Sequence, residues 1–224
     1  TGVTRNKIFA HDDDVYGGKH NVSNYSFYSQ ADAKINEKLN LSIGGRYEYF
    51  NFDGEVTSVP LIRTGLNYKL FDGTFLRASY GSGFRFPSIV ERYVTVKSGP
   101  VVVYPNPDLQ PEGGWSAEVG IKQGIKIDEW KGFIDVAAFV MQYEDMIEFT
   151  FGMWDPGNTN VDSLYGLGFK CVNIGATRIS GIETSIGGNG KIGPLDISIL
   201  GSYTYINPII LNPSDVYYSY YIGD

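Results

Sequence analysis

"SNYSFYSQADAKI", residues 23–35, alternates without a break. Tyr25, Phe27, Ser29, Ala31, Ala33 and Ile35 share one parity, and Asn24, Ser26, Tyr28, Gln30, Asp32 and Lys34 share the other. A period of two marks a strand with one apolar and one polar face, and this run is about twice as long as an ordinary soluble strand. The same rhythm continues along the chain. Leu39, Leu41, Ile43, Gly45, Tyr47 and Tyr49 oppose Asn40, Ser42, Arg46 and Glu48. The spacing predicts eight strands, near 23–35, 39–50, 60–70, 74–84, 114–126, 132–149, 172–188 and 194–206. In "FIDVAAFVM" (133–141) both parities are apolar, so periodicity leaves the faces of that strand unassigned.

The connections sort by length. Those at 36–38, 71–73, 127–131 and 189–193 are short and polar or glycine-rich, and between them lie connections of about 8, 29 and 22 residues. Long strands joined by short turns at one end and long loops at the other are the pattern of an antiparallel transmembrane β-barrel. Tyr47, Tyr49, Tyr203 and Tyr205 sit at the long-loop ends, where an aromatic girdle belongs. A soluble β-sandwich also alternates, but its strands are shorter and its loops are not sorted by side. It would bury Leu41, Ile43, Leu66 and Ile197 against a second sheet, where the barrel turns them outward.

Composition narrows the function. Aromatic residues make up 15% of the 224-residue chain, with 17 tyrosines, and 28 glycines supply turns. A net charge of −7 argues against a nucleic-acid partner. Cys171 is the single cysteine, and His11 and His20 have no cysteine partners, so neither a zinc site nor a Cys–His nucleophile is expected. No apolar run approaches the length of a membrane helix, which says nothing against a barrel. Asp12-Asp13-Asp14 lacks the spacing of a calcium loop and reads as a solvated turn.

One corner breaks the rhythm. "SYGSGFRFPSIVERY" (79–93) starts as a strand and stops at Pro87, which cannot continue a central ladder. Gly83, Phe84, Arg85, Pro87 and Ser88 are followed by Glu91, Arg92 and Tyr93, then by Asn106, Pro107, Leu109, Pro111 and Glu112 in "YPNPDLQPEGGWSAEVGIK" (104–122). This pair of motifs resembles the TonB-dependent outer-membrane receptors. "NIGATRISGIETSI" (173–186) and "SYTY" (202–205) resemble later strands of the same barrel, and the likeness covers most of residues 22–208. Arg92 departs from it, standing where an apolar residue is usual.

The resemblance implies a 22-stranded barrel, of which these strands are a contiguous part. At about 28 residues per strand, such a barrel needs about 616 residues before any plug. The chain is therefore expected to be a fragment without the plug domain, ending in the loop-like "YYSYYIGD". The resemblance also implies contact with outer-membrane lipid, energised uptake of a small nutrient, and a TonB complex acting through an N-terminal region outside this chain. The ligands it leaves open are iron–siderophore, haem, cobalamin and oligosaccharide. No catalytic residue, cofactor or metal is expected. Arg85 is expected to pair with a carboxylate and pin the foot of a loop, with ligand contact as its other reading. Nutrient contacts are expected from loops 85–113 and 150–172, with Tyr93, Tyr104, Phe151, Met153 and Trp154 as candidates. Two other classes stay open: a self-contained eight-stranded porin or adhesin, in which the first strand pairs with the last, and the sandwich module.

Overall fold

The structure, a computed structural model, describes residues 1–212; the "YYSYYIGD" end lies outside them. In chain order its elements begin with β1 (Gly2–Asp12), β2 (Gly18–Lys34), β3 (Leu39–Phe52), β4 (Glu55–Phe71) and β5 (Thr74–Arg85). Helix α1 (Ile89–Tyr93), β6 (Val96–Ser98) and β7 (Val101–Tyr104) follow. Next come β8 (Glu112–Ile127), β9 (Trp130–Glu144), β10 (Met146–Met153), a 3₁₀ segment (Val161–Gly166) and β11 (Leu167–Ile174). The last two strands are β12 (Thr177–Ile192) and β13 (Leu195–Ile210). Nine strands form one sheet in the order β1-β2-β3-β4-β5-β8-β9-β12-β13, with every neighbouring pair antiparallel.

The ladder register fixes two faces. Phe27, Tyr47 and Pro60 share one row, and Tyr25, Tyr49 and Ser58 share the next. Ile182, Ala138 and Val119 continue this apolar face across the far strands. Among the described residues the buried apolar side chains are Phe52, Pro87, Ile89, Leu109, Ala137, Cys171 and Ile174, whereas Ile43 and Val119 are each 60% exposed. Such a surface is stable only when something apolar covers it. From Leu39 to Tyr49 the apolar band of β3 runs about 33 Å along the strand, or about 24 Å at a tilt near 45°, which matches a bilayer's apolar thickness. The opposite face is polar. Glu48 accepts from Asn24 Nδ2 at 2.9 Å and pairs with Arg46, which donates to the buried Ser26 hydroxyl at 3.0 Å. Arg77 donates to Glu118 at 2.9 Å and pairs with Asp135.

Several expectations are corrected. The sheet has nine strands, because residues 2–12 form β1, whose mixed parities hide it from a period-two reading. The connection expected at 51–59 is a two-residue hairpin turn, in which Asp53 and Gly54 take the positive φ values (49° and 98°) of a tight turn. The segment 132–149 belongs to two strands, β9 and β10, which leave the large sheet for a smaller one at Asp145 (φ 54°). Likewise 172–188 divides into β11 and β12. The faces of "FIDVAAFVM" are settled by Asp135, which Arg77 draws to the polar side together with Ala137 and Phe139. A closed eight-stranded barrel needs its first and last strands paired, yet β1 and β13 lie at opposite edges of the order. A sandwich is excluded as well: Leu41, Ile43 and Leu66 are exposed and Ile197 is half-buried, with no second sheet over them among the described residues.

Candidate functional site

All the long connections lie at one end of the sheet, and they are organised around the corner at Arg85. Proline at 87 stops β5, and Ser88 caps α1: its hydroxyl accepts from Glu91 N at 3.2 Å, while Glu91 accepts from Ser88 N at 2.7 Å. Arg85 then forks between two carboxylates. Its Nε and Nη2 donate to Glu112 at 2.8 and 2.9 Å, and its Nη1 donates to both oxygens of Glu91 at 2.8 and 2.9 Å. Glu112 also accepts from Ile147 N at 2.6 Å. One guanidinium therefore ties the end of β5, the start of β8, helix α1 and, through Glu112, the base of β10. Partial burial works to raise the pKa of Glu91, but the Ser88 N–H, Arg85 and the Ser88 hydroxyl outweigh it and hold the group below its ordinary value.

The second motif is fastening of the same kind. Asn106 N donates to Arg92 O at 2.7 Å, and its side chain donates to Cys171 O at 2.8 Å. Leu109 is fully buried, and its carbonyl accepts from Arg92 Nη2 at 2.9 Å. Pro107 and Pro111 bracket this turn and fix φ without needing donors. Gln110 and Asn173 exchange hydrogen bonds at 2.7 and 2.9 Å, joining the turn to β11. Arg92, the departure from the family pattern, is buried, with its guanidinium 4.9 Å from the Phe52 ring and 5.4 Å from Phe86. Nothing in the local sequence marks this, because Phe52 and Leu109 reach Arg92 only through the fold. Phe86 stacks on Phe50 at 5.0 Å, and Phe84 approaches both rings.

Tyr93, a candidate contact, stacks on His20 at 3.8 Å. His20 in turn faces Asp53 at 2.6 Å and the Tyr16 carbonyl at 2.9 Å. Burial is the main cause that pushes the Tyr93 hydroxyl above its ordinary pKa.

The remaining candidates lie on a four-stranded loop sheet in the order β10-β11-β7-β6, in which β11 and β7 run parallel. Two segments expected as loops therefore carry regular structure. Tyr104 lies over Gly168, where an added Cβ would come within 2.2 Å of the Val102 carbonyl, so only glycine admits this approach. Trp154 Nε1 donates to the Gly168 carbonyl at 3.1 Å. Met153 is half-buried at the end of β10, opposite Leu167. Phe151 meets Phe169 edge-on at 5.2 Å, and Phe169 stacks with Phe149 at 5.0 Å. Phe149 and Phe151 stay 53% and 38% exposed. The structure thus gathers Arg85, Glu91 and Glu112 into one cluster, places Tyr93 on a neighbouring one, and sets Tyr104, Phe151, Met153 and Trp154 on the loop sheet. Phe149 and Phe169 belong with Phe151, a grouping visible only once β10 and β11 pair.

Comparison with known proteins gives these features a context. A family model described as TonB dependent receptor-like, beta-barrel, matches residues 3–222. The chain is 30% identical over 112 residues to Hemoglobin-binding protein A of Haemophilus influenzae, covering 48% of this chain and 11% of that protein. It is 33% identical over 107 residues to the Vitamin B12 transporter BtuB of Vibrio vulnificus, covering 46% and 16%. Its fold matches the hemophore receptor HasR of Serratia marcescens, solved with its hemophore HasA and heme, at a TM-score of 0.67 and 18% identity. That match covers 86% of this chain and 35% of HasR. The chain thus aligns with about a third or less of each relative's length.

Proposed function

This chain belongs to the TonB-dependent receptor β-barrel family of the bacterial outer membrane, and on that premise we propose that it forms a sector of the wall of a receptor for energised uptake of a scarce nutrient. The observation that carries this reading is the two-faced sheet crowned at one end by a pinned loop layer. Its apolar face meets lipid, its polar face lines the lumen, and its loop layer stands at the outer mouth. The relatives are named as receptors and transporters, not enzymes. The side chains at the corner do what such a role requires, holding a ligand-facing layer in place without converting anything. On this reading TonB energises uptake by the whole receptor.

The nutrient belongs to the class of iron–siderophore, haem, cobalamin or oligosaccharide, and the relatives' names favour haem and cobalamin. Among the candidate contacts, Phe151 with its neighbour Phe149 is the freest to meet such a ligand, since both rings keep open faces. Arg85, Tyr93, Tyr104 and Trp154 serve by positioning, because their polar groups or rings are already engaged within the loop layer. The test is uptake by the full-length receptor in a host stripped of its own receptors, with and without TonB, across the four ligand classes. TonB-dependent uptake of one class, weakened by Phe149→Ser with Phe151→Ser, is the expected result. Uptake of none, or uptake equal without TonB, overturns the reading.

A further inference from the structure

The apolar face carries almost no charge. Across β3, β4, β5, β8 and β13, the rows from Leu39 to Asn51, Ser58 to Tyr68, Leu76 to Ser82, Trp115 to Ile127 and Leu195 to Ile209 hold no ionisable group but tyrosine. On β9 and β12 the exceptions are Glu144 and Arg178 at the upper ends, and the Arg178 guanidinium is engaged by Gln142 at 2.8 and 3.1 Å. The β1–β2 hairpin is different. Arg5 pairs across with Tyr25, Lys7 with Ser23, Phe9 with Asn21 and His11 with Lys19, all on the outward side.

The height of these cations is set by the register. Arg5 lies in the row of Tyr25 and Tyr49, whose rings meet edge-on at 6.2 Å, and its guanidinium sits 5.4 Å from the Tyr25 ring. That row ends the apolar band. Lys7 lies one row higher, about 7 Å along the strand, and Lys19 two rows above that. All three are exposed, and neither Lys7 nor Lys19 has a carboxylate partner among the described residues. The acids nearby are otherwise occupied or lie beyond: Asp53 accepts from Asn21 N and faces His20, Asp12 caps its own turn, and Asp13 and Asp14 are in the turn above. Lys7, Phe9, Lys19, Asn21, Ser23 and Asn51 line a crevice between these groups, whose wall also includes Ile8, Val22 and the Asp53-Gly54 turn, with Asp53 already engaged by Asn21 N and His20.

We propose that Arg5, Lys7 and Lys19, with Asn21, Ser23 and Asn51 between them, form a binding site for the phosphorylated sugar headgroup of a glycolipid in the leaflet on the long-loop side. Uncompensated cations on a lipid-facing wall, from the girdle row (Arg5) through the next row (Lys7) to a row about 20 Å further along the strand than Arg5 (Lys19), stand at and above the depth of headgroup phosphates, which they attract through charge. The amide and hydroxyl side chains beside them offer donors and acceptors to sugar hydroxyls. A protein partner would need apolar area here, and Phe9 supplies the single large apolar group of the crevice's outward row. The site is independent of which nutrient the receptor carries.

The test uses the full-length receptor in nanodiscs doped with lipid A, a phosphorylated disaccharide lipid, with native mass spectrometry counting bound lipid. Parallel discs hold dephosphorylated lipid A or phosphatidylglycerol. Arg5→Gln, Lys7→Gln and Lys19→Gln together are compared with a control triple, Lys126→Gln, Lys131→Gln and Lys191→Gln, at the short-turn end. Each cation near an anionic lipid contributes roughly fivefold, so the first triple is expected to weaken phosphorylated lipid A about a hundredfold. The control triple should leave binding unchanged, and heat-modifiable migration shows that both fold. Equal retention of lipid A by the first triple, or equal loss of phosphatidylglycerol, overturns the proposal, since either leaves only generic surface charge.

Discussion

Replacing Arg92 with methionine tests how the loop layer is held. The substitution keeps the apolar stem and removes the guanidinium from a site where the arginine side chain is 7% exposed. The Leu109 carbonyl, on a residue with no exposure, loses donors at 2.9 and 3.3 Å. A hydrogen bond to a charged group is worth about 1.5–3 kcal/mol. The contacts with Phe52 and Phe86 contribute about 1 kcal/mol each, and methionine recovers about 1 kcal/mol through sulfur–ring contact. Glu55 adds next to nothing, because its side chain is 77% exposed at 3.4 Å. The net loss is about 3 kcal/mol, confined to the loop, which multiplies its opening constant about 150-fold. Hydrogen exchange with mass spectrometry on the full receptor reads this directly. The amides of Val94, Thr95 and Asn106, bonded to Val90, Val15 and Arg92 carbonyls at 3.0, 2.7 and 2.7 Å, should speed by that factor. Amides of β8 and β9 should not change. An acceleration below about tenfold, or one shared equally by β8 and β9, refutes the assignment of Arg92 as the buried anchor of the loop.

Val119→Arg places a charge in the middle of the outward band and should cost about 2–4 kcal/mol in urea unfolding from bilayers, whereas Ser79→Arg on the polar face should cost under about 1 kcal/mol. Equal costs would overturn the facing of the sheet. Gly54→Val forces a branched side chain into φ 98° and should destabilise the β3–β4 hairpin by about 1–2 kcal/mol, seen as faster exchange at Asp53 N and Asn21 N. Glu91 has its pKa lowered in the folded state, so its contribution is complete at neutral pH and is lost only as pH falls through that depressed value. Pepsin nicking within residues 86–111 should therefore begin only below the ordinary glutamate range, and Glu91→Gln should permit it above that range. Nicking of both proteins with the same pH midpoint would show that Glu91 is not the group responsible.

Much of this architecture is written into local pattern. Alternation at 23–35 and 39–50 gave strand and face, because side-chain direction in a strand depends on nothing but the count of residues, while the strands themselves run on to Gly18 and Phe52. The Asp53-Gly54 turn was missed, although positive φ at successive positions favours that dipeptide, because the pairing of Phe52 with Glu55 continues both strands past the reach of their apolar alternation. The corner motif located Arg85, Glu91 and Glu112, and the scarcity of isolated buried charge led to the expectation that Arg85 pairs with a carboxylate, which the fold supplies as Glu91 and Glu112. Other features had no local signal. Both parities of "FIDVAAFVM" are apolar, and Asp135 declares its side only because Arg77, 58 residues earlier, lies two strands away. The loop sheet joins β11 to β7 in parallel, a pairing that no hairpin enforces and that short apolar strands cannot announce. Arg92 looked like a stray charge in a motif that prefers an apolar residue, and its anchoring role exists only where Phe52, Phe86 and Leu109 converge. What the sequence determined by itself is whatever depends on neighbours along the chain: strand, face, turn and the edges of the membrane band. What the tertiary structure alone decided is which distant groups share a buried space, because the cost of an unpaired charge or carbonyl is settled by partners that the chain brings together only on folding.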